Sequence, residues 1–401
     1  MPTNRIRVLT LTRLFPSSQF PTLGIFCAER ARALSRYADV RVMVPTPYYP
    51  RWVPAGGRWR AMARVEREGT TAEGVSVTYP RYVSVPKVAT WYQGLAMARS
   101  ARKEFARRYR EWRPDIIDGH FAFPDGYAAV KLAESLGCAS LVTCHGSDLR
   151  LYPSLVFTGS MMRQVMCRAD RVISVGSTLR SRSIELGCPE ENAVCLANGV
   201  DTDKFILRDR DQCRRDLGLP EDGRVVVCVG RLDDNKNQHV LICAMARMRE
   251  QGTTPPCLAL VGDGPNRLQL EREADRLGLT ERVHFAGLRP HDEVPYWMAA
   301  ADWLALASHQ EGWATVYFEA LACGRPVITS DVPSARDCVC DPRYGKVVEP
   351  NTPEAFAAAM IQAESCEYDP AVIRSYAEQH SWDKWARTMM DLVDQVRRSR
   401  N

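Results

Sequence analysis

Residues 301–327 run Ala301-Asp-Trp-Leu-Ala-Leu-Ala307 and then Ser308-His-Gln-Glu-Gly-Trp-Ala-Thr-Val-Tyr-Phe-Glu-Ala-Leu-Ala-Cys-Gly-Arg-Pro-Val327. The first part is short and apolar enough for a buried strand, and the second reads as a polar loop entering a helix. In an open parallel sheet that junction is where a ligand is held. Backbone N–H groups at a helix start suit an anion, and a carboxylate one or two turns further on can accept hydrogen bonds from ligand hydroxyls. Carboxylates do not bind phosphates. Glu311 and Glu319 beside such a start therefore point to a ligand with anionic and hydroxyl-rich parts, as in a nucleotide sugar.

At 401 residues the chain exceeds what one core usually serves, so two domains are expected. No long apolar run of membrane-spanning length occurs, and Met1-Pro-Thr-Asn-Arg-Ile-Arg-Val8 enters a strand-like segment without a signal-peptide core. A cytoplasmic location is the expectation. The fourteen cysteines are scattered, many within apolar runs, and read as reduced core residues. The close pair Cys338 and Cys340 lacks the histidines or further cysteines of a zinc site, so no metal is expected. Charge is uneven: residues 1–200 carry roughly 28 Lys+Arg against 16 Asp+Glu, and the remainder roughly 25 against 32. The excess peaks at Arg99-Ser-Ala-Arg-Lys-Glu-Phe-Ala-Arg-Arg-Tyr-Arg110, either a solvated helix face or a surface for anionic lipid headgroups or a phosphate-bearing acceptor.

The first half alternates strand and helix. Arg5–Thr12 suits a buried strand, and its Pro- and Ser-rich loop reaches a helix near Cys27 through Gly24, a turn residue or a point of close ligand approach. Asp39–Pro45 reads as a second strand, followed by a long irregular region to about Lys87. Asp115–His120, Ser140–Cys144, Arg171–Val175 and Asn192–Leu196 read as further strands, with a helix from Thr178 to Leu186. His145-Gly-Ser-Asp148 ends the Ser140 strand, where this architecture places chemistry, although lone histidines are mostly structural.

Past a turn-rich exit at Asn198-Gly-Val-Asp201 and a charged segment to Gly223 that reads as a linker with a short helix, a second series begins with Arg224-Val-Val-Val-Cys-Val-Gly230. Arg231 and Lys236, in the loop after that strand, either converge on one anion or are simply solvated. Gly262-Asp-Gly264 follows another strand, but Arg267 stands where a dinucleotide fingerprint needs its third glycine, which weakens a dehydrogenase reading. Arg282–Gly287, Arg325–Ser330 and Gly345–Glu349 complete the strands. The tail is helical and ends in an amphipathic segment from about Trp382 to Arg398.

These motifs, in this order, resemble the retaining glycosyltransferases of family 4, also called group 1. The resemblance rests on His145-Gly-Ser-Asp148, Asn198-Gly-Val-Asp201, Gly230-Arg-Leu-x-x-x-Lys236, Gly262-Asp-Gly264 and Glu311-Gly-x(6)-Glu319 with Ala320-Leu-Ala-Cys-Gly-Arg-Pro-Val327. Phe15-Pro16, Gly24-Ile-Phe26 and Glu311-Gly-Trp313 resemble members that build exported bacterial polysaccharides. What the resemblance implies is a GT-B fold: two Rossmann-like α/β domains with doubly wound parallel sheets facing a central cleft, and a C-terminal helix crossing back. The divisions expected are 1–204 for the acceptor, 205–378 for the nucleotide sugar, and 379–401 for the returning helix.

The resemblance also assigns residues. Arg231 and Lys236 would neutralise the donor diphosphate, with backbone at Gly230, Gly264, Ala314, Thr315 and Val316 along it. Glu319 would hold the ribose and Glu311 the transferred sugar. The base would lie near Leu288, between Gly287 and Arg289. His145 would face the sugar, Asp148 would orient its loop, and Gly24 would bring the first loop to the phosphate. Many relatives have glycine where this chain has Ala314. The implied reaction moves a hexose from a nucleoside diphosphate sugar to a saccharide or lipid-linked hydroxyl with retention, needing no metal or other cofactor. An anionic membrane surface at the inner face of the plasma membrane is a further expected partner, and nucleic acid is not. A nucleotide-sugar epimerase or phosphorylase, and a non-catalytic assembly subunit, are the competing readings.

Overall fold

The computed structural model describes residues 5–48, 57–84 and 90–400, leaving aside the side chains of Arg58 and Trp59. It divides into two compact units, Met1–Asn198 with Trp382–Asn401, and Gly199–Ser381. Both are layered α/β structures, because runs such as Val225-Val-Val-Cys-Val229 and Ala139-Ser-Leu-Val-Thr-Cys144 are apolar on both faces and need helices above and below.

In the first unit Arg7–Leu11 is central, between Ile116–His120 and Asp39–Met43 in parallel register. Beyond Ile116–His120 lie Ala139–Cys144, Arg171–Ser174 and Ala193–Cys195; beyond Asp39–Met43 lie Ser76–Thr78 and the antiparallel Glu68–Thr70. The last helix, Trp382–Arg400, belongs to this unit. Its Trp382, Trp385, Ala386, Met389, Leu392, Val393 and Val396 recur at helical spacing and are all buried in this core. Arg30 of the helix Ile25–Ser35 lies 4.5 Å over the Trp385 ring, and Tyr37 donates to Asp383 at 2.6 Å.

The second unit has six parallel strands in the spatial order Val283–Gly287, Cys257–Val261, Val225–Val229, Trp303–Leu306, Val327–Ser330, Gly345–Val348. The sheet grows from Val225–Val229 first to one side and then to the other, the doubly wound arrangement that the resemblance implies. Asp302 pins the start of the central pair. Its carboxylate accepts from Val225 N at 2.7 Å and from Arg214 Nη2 at 2.8 Å.

Three sequence readings differ from this structure. The region after Pro45 is not irregular: it contains strands Thr46–Tyr48, Glu68–Thr70, Ser76–Thr78 and Arg81–Val83 and a helix Gly57–Arg64, while 49–56 and 85–89 lie outside the described residues. Strands of three residues have no periodicity to read; they exist through pairing, as between Arg41–Met43 and Ser76–Thr78. The helix Val156–Arg168 was unforeseen, because Thr158, Gly159 and Ser160 weaken its local propensity. The linker-like segment is part of the second core, with Phe205 and Arg214 buried there.

Candidate functional site

The central strands of the second unit, Val225–Val229 and Trp303–Leu306, pair in parallel although the chain leaves them toward opposite edges. Their C-terminal loops, 230–237 and 307–314, therefore emerge side by side, at the point where an open sheet reverses direction. The loops are tied together: His309 N donates to Asn235 O at 2.8 Å, and Asn235 Nδ2 to Gln310 O at 3.0 Å. Lys236 Nζ and Glu311 Oε1 then meet at 2.6 Å, both side chains largely buried. A Cβ at Gly230 would stand 3.3 Å from Lys236 Cε, so the glycine leaves room for the lysine stem. Arg231 is exposed and lies 3.4 Å from Asp233, so the two cations have different partners.

The helix Thr315–Ala322 starts after Ala314, whose backbone is extended and whose C=O accepts from Tyr317 N. No side chain caps this start, which leaves the Thr315 and Val316 N–H groups at a positive helix end. Trp313 stacks on Phe318 at 5.5 Å and fixes the approach. Glu319, one turn in, faces His291: Nε2 to Oε1 is 3.4 Å, and His291 Nδ1 lies 2.7 Å from Lys204 Nζ, which pairs with Asp292. His291 was missed; its only sequence signal is a place in the loop that begins with Leu288, a side chain 75% exposed.

Gly264 and Gly24 each lie tightly against a neighbouring loop. A Cβ at Gly264 would fall 2.2 Å from Leu232 O, and one at Gly24 would fall 2.3 Å from Leu14 O. Gly24 also has φ 69° as the residue before its helix. In both places the missing side chain admits a neighbouring loop of the same unit.

In the first unit, His145 follows the strand Ala139–Cys144 and is half-buried between Phe26 and Phe121, at 4.8 and 4.7 Å between centroids. Asp148 accepts from the N–H groups of Ala122, His145 and Gly146, and so fixes this loop. Behind His145 lies a chain that sequence reading missed. His145 Nε2 is 3.2 Å from His120 Nδ1, His120 Nε2 is 3.1 Å from Asp118 Oδ2, and Thr143 donates to Asp118. Burial opposes charge on His120, yet the Cys27 sulfur and the Asp118 carboxylate raise its pKa to about 9. Burial, then His120 and Arg30, push His145 well below the ordinary histidine value. Asp118-x-His120 on one strand face was the available signal, since alternate strand residues share a face.

The basic helix runs from Thr90 to Arg108. Its Arg107 and Arg108 pair with Glu104, and Arg108 also with Glu68. With Arg67, Arg81 and Lys103 they line a cavity of about 490 Å³. Two Asp-x-Asp triples, a pattern that can hold a metal, are engaged in backbone and ion-pair contacts. Asp201 accepts from Asp203 N and Lys204 N, Asp209 caps the helix Arg210–Leu217, and Asp211 pairs with Arg210. Among the described residues no helix is long and apolar enough to cross a membrane.

Two family models divide the chain between them: Glycosyltransferase Family 4 matches residues 23–204, and Glycosyl transferases group 1 matches 209–380. The chain is 28% identical to the "Putative teichuronic acid biosynthesis glycosyltransferase TuaC" of Bacillus subtilis (strain 168), over 90% of this chain and 89% of that protein. It is 34% identical to the GDP-mannose-dependent alpha-(1-6)-phosphatidylinositol monomannoside mannosyltransferase of Mycolicibacterium smegmatis, over 57% of this chain and 62% of that one, so this match spans less than two thirds of that relative. Among solved structures, Anabaena Alr3699/HepE in complex with UDP superposes with a TM-score of 0.74 at 20% identity, covering 98% of this chain and all of that one. At that identity the likeness concerns the fold.

Proposed function

The chain belongs to the group 1 glycosyltransferases, family 4, and from that membership we infer that it transfers a hexose from a nucleoside diphosphate sugar to a saccharide or lipid-linked hydroxyl, with retention, in polysaccharide or glycolipid synthesis. The observation that carries this reading is the Lys236–Glu311 contact at the reversal of the second sheet, beside an uncapped helix start. A cation, a carboxylate and free backbone donors at one junction suit a ligand with diphosphate and sugar parts. The UDP complex of HepE and the GDP-mannose dependence of the mycobacterial relative support a nucleotide-sugar donor while differing in base.

In the proposed reaction the bond from the anomeric carbon to the diphosphate oxygen breaks, and the acceptor oxygen bonds to that carbon on the same face. The acceptor proton passes to the departing phosphate. Positive charge grows on the sugar and negative charge on the diphosphate, so Arg231, Lys236 and the helix start at Ala314, Thr315 and Val316 lower the barrier by acting on the latter. Glu311 orients the sugar, Glu319 the ribose, and His145 donates to a sugar hydroxyl. Leu288 offers an apolar surface for the base. The cations stand in for a metal. The basic helix of the first unit supports a further proposal, binding to an anionic lipid surface.

Thermal shift with uridine, guanosine and adenosine diphosphate sugars tests the donor, since a ligand at a hundred times its Kd adds about 2.7 kcal/mol. Lys236→Ala should abolish the shift given by the preferred donor and reduce transfer by about 10²-fold or more with the fold intact. Near-normal turnover in this variant refutes the role given to Lys236.

A further inference from the structure

Just past the end of the 230–237 loop, three ligand-forming side chains of different chemistry converge. His239 and Cys243 are one turn apart on the helix Gln238–Glu250, and Glu273 projects from the helix Arg267–Arg276. Cys243 Sγ lies 3.7 Å from His239 Nδ1 and 3.6 Å from Glu273 Oε1, and those two atoms are 3.9 Å apart. Three atoms so placed form a nearly equilateral triangle, and an ion just above its centre is about 2.2 Å from each, the range of zinc bonds to sulfur, nitrogen and oxygen. A tetrahedral zinc ion would set these edges at about 3.5 Å, so side-chain adjustments of a few tenths of an ångström suffice.

We propose that His239, Cys243 and Glu273 form a binding site for a zinc-like divalent ion, with a fourth position open to water. The ligand chemistry favours zinc: a thiolate, an imidazole and one carboxylate are too soft a set for magnesium or calcium. Half of the His239 side chain is exposed, which gives the ion a path in. Arg276 Nη2 donates to Glu273 Oε1 at 2.6 Å, an outer hydrogen bond of the kind that holds ligating carboxylates in place. The thiol proton, now directed at Glu273, is released to solvent when the metal–sulfur bond forms.

The site joins two helices that matter to the donor loops. Gln238–Glu250 follows the loop carrying Lys236, and Arg267–Arg276 follows the Gly262–Asn266 turn. Asn266 Nδ2 donates to Asp234 Oδ1 at 2.7 Å, so the two turns already touch. An ion between the helices braces that pair from behind.

Cobalt(II) titration of the chelator-stripped full chain tests the site. One equivalent should give a thiolate-to-cobalt charge-transfer band and the intense visible bands of a tetrahedral ion, both lost on adding zinc. Cys243→Ser should lose the charge-transfer band, and His239→Ala should weaken binding roughly tenfold or more. His239 is exposed and Cys243 half-buried, and circular dichroism checks that the variants fold. Zinc should raise the Tm of the wild type and leave that of Cys243→Ser unchanged. No tetrahedral spectrum in the wild type, or binding as tight as the wild type's in both variants, with the other thiols then responsible, overturns the proposal.

Discussion

His145 was legible as a candidate because it ends a strand before a glycine, but its electrostatic setting comes from Asp118 and His120. Near neutral pH the raised His120 carries both protons and donates to Asp118 through Nε2 and to His145 through Nδ1. His145, held well below its ordinary value, is then neutral with its proton on Nδ1. Asp118→Asn removes the charge that supports the His120 proton. Transfer should fall roughly tenfold to a hundredfold, by analogy with outer partners of other functional histidines, and ¹⁵N NMR of the His145 ring should show the tautomer shift. An unchanged tautomer sinks the positioning role whatever the activity does. The sign for stability is also fixed. The His120 contribution is complete below its unfolded pKa near 6.5 and is lost as pH rises toward about 9. The lowered His145 value acts on the other side, costing stability as pH falls below that same unfolded value. A Tm–pH series on Asp118→Asn should show a smaller alkaline loss than the wild type.

At the scale of elements, the strands of the second unit were readable because buried parallel strands are nearly continuous apolar runs. The short helix Arg210–Leu217 was read only as part of a linker, not of a core. Its sequence, Arg210-Asp-Gln-Cys-Arg-Arg-Asp-Leu217, looks like solvated linker, yet Arg214 is buried and fully engaged. It donates to the carbonyls of Ala300, Glu221 and Gly223 and pairs with Asp302 at 2.8 Å. Breaking such a pair leaves a buried carboxylate short of a partner, so Arg214→Met should cost about 3–5 kcal/mol in chemical denaturation. Arg214→Lys should recover only a minor part, because a single ammonium cannot reach the same carbonyls as the planar guanidinium. A loss below about 1 kcal/mol in Arg214→Met would show Asp302 satisfied by Arg210, Arg224 and Val225 N alone.

For the whole molecule, metal and membrane are the two open partners, and each has a separate readout. Transfer should survive EDTA, while the Tm falls if the zinc-like site is filled. Abolition of transfer with rescue by magnesium or manganese overturns the proposal that cations alone serve the diphosphate. The surplus of Lys and Arg in the first half predicts flotation with anionic vesicles at low salt, weakening as salt rises. Protein that stays unbound at low salt ends that reading, and the pairing of Arg107 and Arg108 with Glu104 already reduces the charge available.

The sequence by itself determined the class of fold, the glycine-punctuated loops at strand ends and the family motifs, because apolar runs, turn residues and short spacings are local. Only the tertiary structure decided which of these side chains meet. Lys236 and Glu311 are 75 residues apart and touch because two strands far apart in sequence are neighbours in the sheet. The same holds for His120 and His145, brought together by the parallel pairing of Ile116–His120 with Ala139–Cys144. Strand order is set by how the helices between strands pack, and no local periodicity carries that information.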